Sequence, residues 1–97
     1  MNEPVIGNLP PHSWSSEQSV AYEAAIEAIN GVVGAYSHLI ADAEHRPGAE
    51  ETVAEYRRLR AACQQERRAL RAEDTQAVAR VRADYAARLR ELTEHDA

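Results

Sequence analysis

Between residues 21 and 45 the chain reads AYEAAIEAINGVVGAYSHLIADAEH. Large apolar side chains recur in this segment at alternating intervals of four and three residues, which places them on one side of an α-helix. We call these residues the hairpin seam: Tyr22, Ile26, Ile29, Val33, Tyr36 and Ile40. We therefore expect a long first helix that packs through the seam against a second helix.

The side of this helix that lies about 200° from the seam carries only small residues. They are Ala21, Ala24, Ala28, Gly31 and Ala35. A solvent-facing side normally carries charged residues, but none occurs between Glu27 and Asp42. Glycine within a helix costs about 0.8–1 kcal/mol relative to alanine, which is easiest to understand where another backbone approaches closely. We predict that this small-residue face is a second interface, either with another copy of the chain or with a third helix.

Both ends of the first helix carry sequence signals. Ser15 and Gln18 fit a capping box, so the helix is expected to cover about residues 15–45. Pro47 and Gly48 then predict a turn at 46–48. The preceding residues 1–14 contain three prolines and are predicted to form an extended arm.

The remainder of the chain, from Ala49 to Ala97, contains neither glycine nor proline. Its apolar period shifts phase near residues 72–76, where Asp74 or Thr75 is suited to cap a new helix. We favour one long helix over about 49–94, straight or kinked at 72–76, which makes the protein an all-α antiparallel hairpin. The alternative is a three-helix bundle. In either case residues 15–97 form a single domain, and we expect it to build a larger helical bundle by dimerising.

The charges are unevenly distributed along the chain. Residues 1–48 contain six acidic residues and one arginine, whereas residues 49–97 contain ten of each, and there is no lysine. Antiparallel pairing would bring the acidic first helix beside the arginines, where exposed ion pairs of about 0.2–1 kcal/mol each help to select the pairing.

An alternative hypothesis gives the arginines a nucleic-acid partner. Phosphate contacts would be made by Arg57, Arg60, Arg67 and Arg71, and the protein would then be a small regulatory or antitoxin-like adaptor. The net charge of -5 and the lack of a nucleic-acid-binding motif argue against it.

No pattern of catalytic residues is present, so we expect neither an enzyme nor a cofactor. His38, Asp42 and His45 share one helix face, but nothing else in the sequence supports a metal site there. Cys63 lies on the apolar side of its helix and is expected to be a small buried residue. There is no signal-like run, and the longest uncharged segment has 14 residues. These two features favour a cytoplasmic protein with no membrane span, which needs about 20 apolar residues.

The segments SWSSEQ (13–18) and VRADY (81–85) resemble small uncharacterised actinobacterial, Streptomyces-like helical proteins. This resemblance implies no activity. The function expected from the residues is therefore a non-enzymatic protein–protein interaction module with an unidentified client, which forms a homodimer through its first helix.

Overall fold

The structure, a computed structural model, describes residues 16–96 of the chain, with the side chains of residues 16–94. Its elements are three α-helices, and this part of the chain contains no β-strand. In chain order they are α1 (Ser16–Ala43), α2 (Glu50–Ala69) and α3 (Thr75–Asp96). The predicted extended arm and the capping residue Ser15 lie outside the described residues.

The first turn joins α1 to α2 through residues 44–49 and contains the predicted turn at 46–48. Gly48 has a φ of 76°, in the left-handed region that residues with a Cβ atom rarely adopt. Glu50 and Glu51 follow in the first turn of α2, where the helix dipole favours negative charge. Local sequence signals are therefore sufficient to explain this turn.

The second turn separates α2 from α3. Leu70 leaves the helical conformation with φ −71° and ψ 134°. Asp74 then caps α3, since its Oδ1 atom accepts a hydrogen bond from the backbone N–H of Ala77 at 3.1 Å. The preference for one long helix after residue 49 is therefore wrong, and the three-helix alternative describes the chain.

The chain turns back here without glycine or proline because the turn lets α3 bury its apolar face. Val78, Val81 and Tyr85 are each only 2% exposed. Burying a side chain of this size contributes about 1.5–3 kcal/mol. Interrupting a helix removes a few backbone hydrogen bonds, whose net contribution is about 0.5–1.5 kcal/mol each. Burial against α1 therefore outweighs continuation of the helix.

α1 is the central helix of the bundle, because it packs against both α2 and α3. No Cα atom of α2 lies within 8 Å of one in α3. α2 runs antiparallel to α1, since Arg60 donates to Ser37 at 2.9 Å and the later Arg67 donates to the earlier Asn30. A helix that is apolar on two sides thus has a neighbour on each of them.

α3 runs parallel to α1. Its first turns lie beside Ala21, where Thr75 and Val78 line a common cavity, and Leu89 lies against Gly31 further along. The three helices therefore run up, down and up. This arrangement leaves a junction between the two parallel helices that is exposed along its outer side.

The core takes residues from all three helices. Its buried members are Ala25, Ile29, Val32, Tyr36, Cys63, Val78, Val81 and Tyr85. Within the predicted seam, Ile29, Tyr36 and Ile40 are buried, whereas Tyr22, Ile26 and Val33 are half-buried. The buried side of α1 is rotated from the seam towards the small-residue face, because α3 covers part of that face.

Candidate functional site

A groove runs along the outer side of the junction between α1 and α3. Two adjoining cavities of ≈ 390 Å³ and ≈ 590 Å³ form it, and they share Arg82 and Ala86 in their walls. Alanine is the most frequent residue in its floor and walls, and we call this surface the alanine groove. Its alanines are Ala21, Ala24 and Ala28 from α1, Ala72 from the second turn, and Ala79, Ala83 and Ala86 from α3.

The groove exists because both helices present small residues to the same place. Neighbouring helices pack about 8–10 Å apart, and larger side chains normally fill the outer edge of such a junction. On α3, residues 79, 83 and 86 recur at helical spacing and none extends beyond Cβ. Ala79 and Ala83 are exposed, while Ala86 is half-buried. The junction therefore stays open and apolar.

The predicted small-residue interface lies along this junction. Ala21, Ala24 and Ala28 line the groove, and Ala35 is half-buried beyond it. Gly31 is the position of closest approach, because a Cβ atom added there would lie 2.9 Å from Cδ2 of Leu89. The close neighbour of Gly31 is therefore a side chain of α3, within the same molecule.

The close contact that explains glycine at position 31 is missing at Gly34. It is exposed, and an added Cβ atom would meet nothing within 4 Å. The packing of a single chain therefore gives no reason for glycine at position 34.

The two edges of the alanine groove carry opposite charges. Glu27 is exposed on α1 and lines the groove. Arg82 and Arg90 are exposed on α3 and line it from the other side. None of these three side chains takes part in an ion pair within residues 16–94. Both edges therefore have charge free to pair with another molecule.

An exposed apolar side chain adjoins the acidic edge. Val20 is 65% exposed and precedes Ala24 by one helical turn. It is the large hydrophobic side chain that the described part of the bundle leaves most open to solvent. Together with the alanines it extends the apolar surface onto the α1 edge.

The four arginines of the nucleic-acid hypothesis all have polar partners within the chain. Arg57 forms an ion pair with Glu44 in the first turn. Arg60 and Arg67 donate to neutral side chains of α1, and Arg71 pairs with Glu73 at 3.1 Å. Three of the four therefore join α2 to α1 or to the turn, as predicted for pairing contacts, although only Arg57 does so through an acidic partner.

A polar cluster lies between α2 and α3, and the sequence pattern did not indicate it. The Tyr85 hydroxyl donates to Oε1 of Glu66 at 2.6 Å. Arg88 donates from Nη1 to Sγ of Cys63 at 3.4 Å, and its Cζ atom lies 4.6 Å from the centre of the Tyr85 ring. Cys63 is fully buried, which confirms its prediction as a small core residue. These contacts join two helices whose backbones do not approach each other.

The burial of this cluster shifts its acid–base equilibria. Burial, followed by the hydrogen bond to Glu66 and the nearby Cys63, raises the pKa of Tyr85 well above that of an exposed tyrosine. Burial also raises the pKa of Tyr36, although Arg88 opposes this shift. Both phenols therefore stay neutral in the folded protein at physiological pH.

The chain matches no known family, curated protein or solved structure. Its resemblance to actinobacterial proteins therefore stays a prediction.

Two further classes of site can be compared with the structure. Residues 16–94 contain no group of three His, Cys, Asp or Glu side chains that could hold a metal ion. By length and composition α1 is apolar enough to cross a membrane, and the central helix of a soluble bundle has the same two properties. Localisation in the cytoplasm stays a prediction.

Proposed function

We propose that this chain is a non-enzymatic interaction module that pairs with a second copy of itself through the alanine groove. The observation that carries the proposal is the groove between α1 and α3, with its apolar floor and its edges of opposite, unpaired charge. A self-complementary surface of this kind suits a two-fold homodimer, since each copy offers what the other lacks.

The size of the surface sets the expected affinity. The groove extends along α3 from Thr75 to Thr93, about 27 Å at 1.5 Å per residue, and two helices are about 20 Å wide. Each copy would cover about 540 Å², so the interface would total about 1,100 Å², near the lower limit for a specific complex. We therefore expect a weak dimer with a Kd on the order of 10 µM.

Light scattering on the purified full chain tests the proposal. Between about 1 and about 200 µM we expect the mean mass to rise from monomer towards dimer. Ala83→Arg places a long charged side chain in the groove and should keep the chain monomeric. Ala83 is exposed in the single chain, so the substitution should leave the fold intact, as circular dichroism would verify.

Ala61→Arg is the matched control, because Ala61 is an exposed residue of α2 and does not line the groove. It should dimerise as the wild type does. A wild type that is monomeric at about 200 µM, or an A83R chain that dimerises normally, would refute self-association through the groove.

Two alternatives to self-association would give different experimental results. If residues 1–15 of the same chain filled the groove, A83R would shift the emission of Trp14, the one tryptophan, at every concentration. A concentration-independent shift would overturn the proposal. A nucleic-acid partner would appear as a gel shift at low salt that Arg71→Glu abolishes, since Arg71 is the most exposed of the four arginines of that hypothesis. We expect no such shift.

A further inference from the structure

The opposite charges on the two edges of the alanine groove also lie at matching heights along the helices. α1 and α3 are parallel, and Leu89 lies against Gly31. Counting back seven residues along each helix places Arg82 level with Ala24. Arg90, one residue after Leu89, is level with Val32. Glu27 therefore lies at a height between Arg82 and Arg90, on the opposite edge of the groove.

We propose, resting on the self-association above, that the two copies pair in parallel about a two-fold axis that runs along the alanine groove. Rotation about this axis exchanges the two edges and preserves height along the helices. The α1 edge of each copy then faces the α3 edge of the other. Glu27 of one copy lies between Arg82 and Arg90 of the other, and the symmetry repeats this contact.

A different orientation of the axis brings like charges together. If the two-fold axis crossed the groove at right angles, the copies would be antiparallel, with glutamates facing glutamates and arginines facing arginines. Like-charge juxtaposition disfavours a complex, whereas opposite charges at the rim select its orientation. Individual pairs at a rim are weak, so the apolar floor supplies the affinity and the charges select the parallel arrangement.

Disulfide trapping tests this orientation. Glu27→Cys and Ala86→Cys, at groove-lining positions whose heights differ by one residue, are made in separate full-length chains. The chains are mixed at a concentration where light scattering shows dimers, and mildly oxidised. A disulfide needs Cα atoms within about 7 Å. We expect the yield of the mixed disulfide to exceed the yield of disulfide from either variant alone by at least about tenfold. In the homodimer of a single variant, the introduced cysteine faces an edge of the other copy that has no introduced cysteine. Wild-type chain is the control, since its Cys63 is fully buried.

The outcomes separate the two proposals. If no dimer forms, self-association fails and the orientation fails with it. If dimers form but E27C links to itself, or the mixture gives no link, the parallel arrangement is wrong while self-association stands.

Charge exchange provides a second measurement. The variant E27R has two basic edges, and the double variant R82E/R90E has two acidic edges, so each alone should dimerise at least about tenfold more weakly than wild type. Mixing them should restore dimers to within a few-fold of wild type. A variant that dimerises as wild type does would show that these residues do not meet across the interface.

Discussion

At the scale of single residues, the two helical glycines of α1 look alike in sequence but have different surroundings. Gly31 faces Leu89, whereas the Cβ position of Gly34 is empty. We predict that Gly34→Ala stabilises the monomer by about 0.8–1 kcal/mol, because alanine has the higher helix propensity and meets no obstacle. Gly31→Ala should gain less, or lose stability, because the end of the Leu89 side chain has to move.

Urea unfolding of both variants at low concentration, where the chain is monomeric, measures this difference. Thermal unfolding should show the same difference, since about 1 kcal/mol corresponds to a change in Tm of about 4–8 °C for a domain of this size. An unchanged or less stable G34A would contradict the prediction.

Sequence reasoning was effective at this scale where a residue type has one dominant reason to be present. Gly48 occurs in a left-handed turn and Cys63 in the core, and both fit their sequence-based interpretation. It could not separate Gly31 from Gly34, because the difference depends on a leucine 58 residues away in the chain. It also did not pair Tyr85 with Glu66, since their contact depends on the crossing of two helices.

At the scale of the elements, the interruption between α2 and α3 rests on one cap and on burial. We predict that Asp74→Ala destabilises the bundle by about 1 kcal/mol, because the backbone N–H of Ala77 loses its acceptor. Asp74→Asn, which keeps the acceptor oxygen, should be close to wild type. Thermal unfolding followed by circular dichroism measures both variants.

The D74A variant also shows what produces the interruption between α2 and α3. If burial of α3 against α1 dominates, D74A keeps the compact three-helix form and loses only stability. An elongated D74A chain in small-angle scattering would mean instead that the cap is what prevents a continuous helix. The absence of glycine and proline led to the wrong preference, because the energy that bends the chain comes from residues 78–85 meeting α1.

At the scale of the whole molecule, the buried phenols make stability sensitive to alkaline pH. The pKa values of Tyr85 and Tyr36 are raised by folding, so the folded state retains protons that the unfolded chain releases near pH 10. Below about pH 10 the two tyrosines make their full contribution to the free energy of unfolding. As the pH rises above this value, that free energy falls by up to about 1.4 kcal/mol per pH unit for each tyrosine.

Tyr85→Phe removes the larger of these two pH-dependent contributions to stability. At pH 7 it should cost about 1 kcal/mol through loss of the hydrogen bond to Glu66. Above pH 10 the variant should lose stability less steeply than wild type in urea unfolding. Equal slopes for the two proteins would show that Tyr85 ionises normally in the folded state.

The sequence alone is enough to predict an all-helical chain, a turn at Gly48 and a first helix that requires neighbours on two sides. These properties follow from the helical period and from residues with strong local preferences. A period specifies directions around one helix axis, but it does not identify what lies in those directions. That α3 returns to cover Gly31, that α1 is central, and that the alanines of α1 and α3 leave a charged-edged groove depend on how the helices pack. Packing is decided by the summed burial of residues far apart in the chain, which no local pattern contains.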